Sequence, residues 1–303
     1  MKLNIKHFLA AALPVIFCLL ADPASAQLNP FGAMYFQNQY MVNPAMAGLS
    51  EGLVVNLGYR QQWSSVQGAP TIQSLNAEYG AGGKVAFGLN LNNDKAGLLG
   101  RTRVMGTYAY HLPLSGDGQK LSFGLSLGFM DQRVESSDVV GDDGDVAVGR
   151  YNDRDTYFDA DFGMAYTTGR LTVQGAVPNL KNFFRKDDVS LGADRSTFMA
   201  AASYKLLNDP NAAFTVEPKA VFRGVDGYKN IFDAGANLTF AKNSLNLLGM
   251  YHSTKSATLG FGMNYRGKFS VLGVYTTETS ALRSYVNGNF EIAVRFNLLK
   301  QQK

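Results

Sequence analysis

The sequence predicts an all-β protein: a transmembrane antiparallel β-barrel of about fourteen strands. Three observations carry this. Bulky apolar residues alternate with small or polar ones in one segment after another. The connections between segments are short and long in turn. The face opposite the bulky residues is made mostly of Gly, Ser, Ala, Thr and Asn.

The alternation is clearest over residues 121–129, LSFGLSLGF, where every odd position is large and apolar and every even one is Ser or Gly. Side chains on a strand point to opposite sides in turn, so this stretch is two-faced. The same pattern places Leu53, Val55, Leu57 and Tyr59 opposite Val54, Asn56, Gly58 and Arg60. It returns in Val85, Phe87, Leu89 and Leu91, in Phe158, Phe162, Met164 and Tyr166, and in Phe232, Leu238 and Phe240. Near the end it appears in Leu259, Phe261, Met263 and Tyr265 and in Ile292, Val294, Phe296 and Leu298. Fourteen segments result, near 52–63, 70–79, 84–91, 101–112, 119–133, 155–167, 170–177, 196–206, 212–223, 229–240, 244–252, 256–265, 268–276 and 287–298. None of the intervening stretches has a 3.6-residue period.

Every second connection is short and carries turn-forming residues: Gly80-Ala81-Gly82-Gly83, residues 113–118, Thr168-Gly169, 207–211, 241–243 and Arg266-Gly267. The others lie at 64–69, 92–100, 134–154, 178–195, 224–228, 253–255 and 277–286, and most are longer. Short turns at one end and long loops at the other are the layout of outer-membrane barrels. An even strand number puts both chain ends on the short-turn side. Segments of 8–15 residues compare with the roughly 9–11 needed to cross a bilayer at a tilt. Water on the polar face would call for more Lys and Glu than these segments carry, whereas a crowded lumen suits small polar groups. Tyr59, Trp63, Tyr79, Tyr110, Tyr166, Tyr251, Tyr265 and Tyr275 collect near segment ends, where interfacial aromatic girdles sit. The bulky face is therefore read as facing the lipid bilayer.

Three parts follow: residues 1–26, 27–51 and 52–303. Lys2 and Lys6, the apolar run over 8–20 and Ala24-Ser25-Ala26 form a secretory signal peptide, cut after Ala26. The 13 apolar residues are too few for a membrane-spanning helix. Cys18, the only cysteine, lies within them, which leaves the exported chain without disulfide or thiolate chemistry. Removing Lys2, Lys6 and Asp22 leaves 26 Lys+Arg against 23 Asp+Glu, a net +3 with no basic run, which argues against a nucleic-acid partner. Residues 27–51 form a lead segment, packed under or inside the barrel or exposed as a periplasmic contact surface. Within it, Asn43-Pro44 favours a turn and Gly48 lets the chain bend into the sheet. Residues 52–303 form the outer-membrane barrel.

Signals for catalysis, metals and cofactors are weak, so no catalytic, metal or cofactor-binding residue is assigned. His111 and His252 lie near strand ends, and His252-Ser253 at a loop admits a barrel hydrolase; a lumenal or interfacial histidine is the simpler reading. No serine sits in a nucleophile elbow. Gly141-Asp142-Asp143-Gly144-Asp145 is acidic but lacks the ligand spacing and closing glutamate of a calcium loop, and reads as a solvated outer loop. With Tyr151-Asn152-Asp153-Arg154-Asp155 it forms a polar cap able to meet a partner.

Tyr40-Met41-Val42-Asn43-Pro44-Ala45-Met46-Ala47-Gly48, then Arg60, Gln62-Trp63, Pro70-Thr71, Asn93-Asp94 and Gly97 follow one another in a distinctive order. Tyr108-Ala109-Tyr110 and Leu121-Ser122-Phe123-Gly124 continue it, and Asn287-Gly288-Asn289-Phe290-Glu291-Ile292 stands near the end. On these residues the chain resembles the PorP/SprF family, outer-membrane proteins of the type IX secretion system in Bacteroidetes. The resemblance implies a non-enzymatic role in secretion or surface anchoring of client proteins, including gliding adhesins. The implied partners are type IX secretion components, a periplasmic peptidoglycan-binding lipoprotein and a secreted surface client. It makes Tyr40, Asn43, Pro44, Gly48, Arg60, Trp63, Pro70, Asn93 and Asp94 candidate partner-contact or family-motif residues. A passive channel or small-solute transporter is the alternative. Many barrels finish on an aromatic; here Phe296 is followed by Asn297-Leu298-Leu299 and a polar tail.

Overall fold

A computed structural model describes residues 36–114, 116, 118–134, 156–181, 197–206, 213–226, 229–279 and 286–298. The predicted signal peptide, the acidic stretch at 141–145 and the cap at 151–155 lie outside these residues.

The chain forms one closed antiparallel barrel. Its strands are β1 (Gly52–Gln62), β2 (Thr71–Gly80), β3 (Val85–Ala96), β4 (Leu99–Pro113), β5 (Lys120–Val134), β6 (Tyr157–Thr167) and β7 (Leu171–Val177). They continue as β8 (Thr197–Tyr204), β9 (Phe214–Val225), β10 (Ile231–Phe240), β11 (Leu245–His252), β12 (Ser256–Tyr265), β13 (Phe269–Thr276) and β14 (Asn289–Asn297). Each strand pairs with its sequence neighbours. β1 closes on β14 from Val54↔Asn297 to Gln62↔Asn289, so no edge is left unpaired. Closure matters in hydrocarbon, where an open edge would strand a row of unsatisfied backbone groups. Beyond the last strand pair, the Leu298 amide still donates to the Leu53 carbonyl at 2.8 Å. Phe296 packs against Phe269 with ring centroids 5.3 Å apart.

The outer face is the one the alternation marks. Leu125, Leu127 and Phe129 of β5 are exposed, while Ser122, Gly124, Ser126 and Gly128 between them are buried. Leu259 is 68% exposed and Phe158 55%, values expected of side chains solvated by lipid. Edge-on aromatic pairs, Phe87 with Tyr108 and Phe129 with Phe158, join neighbouring strands on this surface.

One stretch departs from the expected layout. Residues 92–100 do not form a long loop. β3 runs on to Ala96, β4 starts at Leu99, and Gly97-Leu98 alone connect them, with Gly97 at φ 60°. Glycine at the first central position suits a two-residue hairpin. Asn92, Asn93, Asp94 and Lys95 continue the ladder against Ser74, Gln73, Ile72 and Thr71. The hydrophobic alternation stops before the strand does, because beyond the bilayer both faces of a strand meet water. The Gly97 amide donates to the Gly68 carbonyl at 3.0 Å, tying this hairpin to the β1–β2 connection.

Both ends of the barrel sequence, Gly52 and Asn297, lie at the rim that carries the β2–β3, β4–β5, β6–β7, β8–β9, β10–β11 and β12–β13 turns. This is the terminal rim; the opposite one is the loop rim.

Candidate functional site: the filled lumen

Residues 36–50 lie inside the barrel. Asn43 caps a 3₁₀ turn, Pro44–Met46: its Oδ1 accepts from the Ala45 amide at 2.9 Å, and Pro44 occupies the first helical position, where no amide hydrogen is needed. All three turn residues are buried. Gly48, at φ 63°, turns the chain toward β1.

The segment is held by polar contacts to distant strands. The Asn43 amide nitrogen donates to the Met164 carbonyl (3.1 Å), Gln174 Oε1 (3.1 Å) and the Gly175 carbonyl (3.3 Å). Tyr40 and Thr107 hydroxyls are 2.8 Å apart, and Thr107 is 2.7 Å from the Ser126 hydroxyl. Asn38 donates to Asn76 at 2.7 Å. The Gly48 amide donates to Glu78 Oε2 at 2.8 Å, and Arg295 donates to the Gln37 carbonyl at 2.8 Å. His111 bridges Ser122 Oγ (2.8 Å) and the Ala47 carbonyl (3.0 Å).

The wall is shaped to receive it. A Cβ added at Gly163 would lie 2.0 Å from Asn43 Oδ1, one at Gly124 2.2 Å from the Pro44 carbonyl carbon, and one at Gly88 2.3 Å from the Tyr40 hydroxyl. No side chain fits at these distances. Three lumen-facing glycines on β3, β5 and β6 thus form a socket for Tyr40, Asn43 and Pro44. Ala86 and Ala109 pack against Tyr40 and Ala47, and Ala165 packs against Ala45 and Met46.

The far side of the lumen is built from side chains. Arg223 on β9 makes two hydrogen bonds to Asp233 on β10, at 3.0 and 3.1 Å. His252 Nδ1 lies 2.7 Å from Asp233, and its Nε2 lies 2.7 Å from Thr258, which meets Thr276 at 2.8 Å. Asp233 and Thr258 are 0% exposed and His252 2%, so this chain of groups is enclosed. Ser253 takes no part; its hydroxyl accepts from the Phe232 amide at 2.9 Å. Elsewhere Arg103 holds Asp161 through two hydrogen bonds and lies 3.6 Å from Asp159, and Arg60 pairs with Glu291 at 3.4 Å. Among the described residues no cluster of three His, Cys, Asp or Glu is arranged to hold a metal ion.

The filling is uneven. On the β9–β13 side, toward the terminal rim, a vestibule of about 430 Å³ remains open. Asn237, Asn246, Asn264, Thr215, Thr239 and Ser270 line it with two charged side chains, Lys205 and Glu217, above Leu248 and Leu272. Phe36 and Gln37 of the lead segment form its inner boundary. The Lys219 ammonium sits 4.5 Å from the centre of the Phe36 ring.

The nine candidate residues fall into two groups. Tyr40, Asn43, Pro44 and Gly48 are buried in the lumen. Arg60, Trp63, Pro70, Asn93 and Asp94 lie toward the loop rim. There the Pro70 carbonyl accepts from the Gln62 amide at 2.9 Å, and Asp94 pairs with Arg101 at 3.0 Å. Asn93 sits opposite Gln73 on β2 and Thr102 on β4. Trp63 has φ 51° at the end of β1, beside Glu278 and Arg60. Burial pushes the Glu278 carboxyl above the usual glutamate range, against the opposing pull of Trp63 and Arg60. Sequence reasoning missed the glycine socket and the Arg223–Asp233–His252 network. The only local signal was the run of Gly, Ser and Ala at lumen-facing positions.

Comparison with known proteins bears on the barrel fold and on the family. Among solved structures, the CymD monoaromatic hydrocarbon channel aligns with 88% of this chain and 94% of its own at 13% identity, with a TM-score of 0.52. The Acinetobacter baumannii outer membrane protein Omp33 aligns with 83% of this chain and 100% of its own at 9% identity and a TM-score of 0.49. A search of curated proteins finds no match. The family model described as "Type IX secretion system membrane protein PorP/SprF" matches residues 24–296. With the match spanning nearly the whole chain, this outer-membrane barrel belongs to the PorP/SprF family of type IX secretion system membrane proteins.

Proposed function

We propose that this protein acts in type IX secretion as a plugged scaffold rather than as a conduit. In this reading the barrel is fixed in the outer membrane with its terminal rim toward the periplasm. That rim meets periplasmic secretion components, among them a peptidoglycan-binding lipoprotein. The loop rim faces outward and meets the secreted client, with gliding-type adhesins as the class the family suggests. The reading includes export by a signal peptide cut after Ala26, and no catalytic step.

The observation that supports it is the socket. The lumen wall gives up side chains at Gly88, Gly124 and Gly163 to take in Tyr40, Asn43 and Pro44. A main-chain segment bound this closely to the wall narrows the lumen, as a scaffold reading expects and an open pore does not. The rival reading, a passive channel or small-solute transporter, has the barrel fold in its favour, since fourteen strands are enough to enclose a pore.

Planar-bilayer recording of the purified barrel separates the two. The scaffold reading expects no steady current, together with secretion components that co-purify from outer membranes. A large steady current without such partners overturns it. Deleting residues 141–153 is expected to reduce client display while the barrel still assembles; unchanged display counts against a client contact at those residues.

A further inference from the structure

The two rims differ in charge. Among the described residues the terminal rim carries Lys84, Lys120, Arg170, Lys205, Lys242, Arg266 and Lys268, and a single carboxylate, Glu51. These seven cations are spread over all six terminal turns. None of them forms an ion pair with a described residue. The loop rim is of mixed sign: acidic Asp94, Asp131, Asp226 and Glu278 stand among its cations, and Asp94 pairs with Arg101 and Asp131 with Arg133 at 2.8 Å. A ring of like charge costs self-repulsion unless something of opposite sign approaches it.

The ring also opens onto a cavity. Lys205 belongs to the rim and lines the vestibule as well. Behind it stand the amides of Asn237, Asn246 and Asn264, the hydroxyls of Thr215 and Ser270, and one carboxylate, Glu217, so the attraction for negative charge comes from the rim and the vestibule meets main chain. A volume of about 430 Å³ lies within the usual range of ligand pockets. Carboxamides and hydroxyls each donate and accept, which suits the alternating N–H and C=O groups of an extended peptide. The Gln37 side-chain oxygen at the inner boundary is buried without a hydrogen-bond partner.

We propose that the terminal mouth is a receptor for an acidic, extended polypeptide segment of a periplasmic partner. The rim cations attract its carboxylates, and the vestibule takes in part of its main chain. This rests on the reading that the terminal rim faces the periplasmic components. Lipid headgroups are the other source of negative charge at this depth. They reach the outer perimeter of the rim but not Lys205 where it faces the vestibule, so the polypeptide is the better fit.

The test uses the purified full-length barrel in phosphatidylcholine nanodiscs and a fluorescein-labelled poly(Glu-Ser) peptide, with poly(Lys-Ser) as its counterpart. The acidic peptide should bind and the basic one should not, and affinity should fall at least about tenfold between ~50 and ~300 mM salt. The variant Lys205→Glu/Lys242→Glu/Arg266→Glu/Lys268→Glu should lose at least about tenfold in affinity. Asn246→Trp, which fills the vestibule, should weaken binding without changing the salt dependence. Retained heat-modifiable mobility on unboiled gels identifies folded barrels, and Lys242→Glu and Arg266→Glu alone replace the fourfold variant if it does not fold. Equal binding of both peptides, or binding unchanged by the charge reversals, overturns the proposal. So does a wild-type barrel that ignores the peptide while the reversals strip co-purifying phosphatidylglycerol, an outcome that assigns the rim to lipid. Unchanged binding by Asn246→Trp overturns the vestibule's part. Peptide binding is read on the isolated barrel, so its failure is distinct from failure of the scaffold reading, which is judged by current and by co-purification.

Discussion

The two sides of the lumen solve the same problem by different means. On β3–β6, Gly88, Gly124 and Gly163 with Ala86, Ala109 and Ala165 leave the wall worn down beside the Arg103–Asp161 pair, and a main-chain segment fills the space left. Along β9–β13 the wall keeps its side chains: Arg223, Asp233 and His252 bind one another, Val221, Leu248, Met250 and Leu272 form apolar clusters with Phe36, Met41 and Val42 of the same segment, and a vestibule stays open. Close approach of a backbone requires a wall without Cβ atoms. A wall of long polar side chains satisfies its own hydrogen bonds and receives the segment through side-chain contacts rather than against its backbone. The comparison assigns separate tasks: the socket side closes the lumen, and the side-chain side stiffens the sheet.

The largest expected effect comes from breaking the stiffened side. Asp233→Ala removes the carboxylate that binds Arg223 and His252 in a buried site and should cost about 3–5 kcal/mol in thermal or denaturant unfolding, with no new current across a bilayer. Next is the socket. Gly124→Val drives a side chain into the Pro44 backbone and should cost about 1–3 kcal/mol, and by displacing the segment it should let current pass. Gly106→Val is the control: Gly106 faces lipid, its nearest neighbour would be 3.9 Å away, and stability should change by no more than about 0.5 kcal/mol. If Asp233→Ala conducts and Gly124→Val does not, the division of tasks is wrong.

Smaller effects sharpen the picture. Asn43→Ala removes the turn cap and leaves a cluster of acceptors on β6 and β7 with one donor fewer, a loss of about 1–3 kcal/mol. Tyr40→Phe deletes one hydroxyl from the Tyr40–Thr107–Ser126 chain and should cost about 1 kcal/mol. The smallest effect is a pH dependence at the loop rim. The Glu278 carboxyl is raised in the folded protein, so folding favours its protonated form. Its contribution is full below the ordinary glutamate value of 4.5 and fades as pH rises through the elevated one. Trp63 is the only tryptophan, so its fluorescence should report the transition, and Glu278→Gln should abolish it. A pH-independent signal from the unaltered protein would show that Glu278 and Trp63 are not in contact.

How much of this was legible in the sequence differs by region. Strands β5, β12 and β14 were readable almost residue by residue, since Leu125, Phe261 and Ile292 declare the lipid face through a period of two. The end of β3 was not, because Asn92, Asn93 and Asp94 lie where hydrophobicity no longer alternates although pairing continues. Asn43-Pro44 and Gly48 were readable as a turn, and that is what they form. Their destination was not readable. Asn43 meets Met164 and Gln174, more than a hundred residues away, and nothing in a glycine at position 163 announces that it clears room for an amide.

The sequence by itself determined the number of strands, their order and the face that each turns to lipid, because the bilayer acts as a solvent on every residue separately. Only the tertiary structure decided what occupies the interior, which wall is a socket and which a framework. Those outcomes depend on the distance between atoms far apart in the chain, and a local pattern carries no record of that distance.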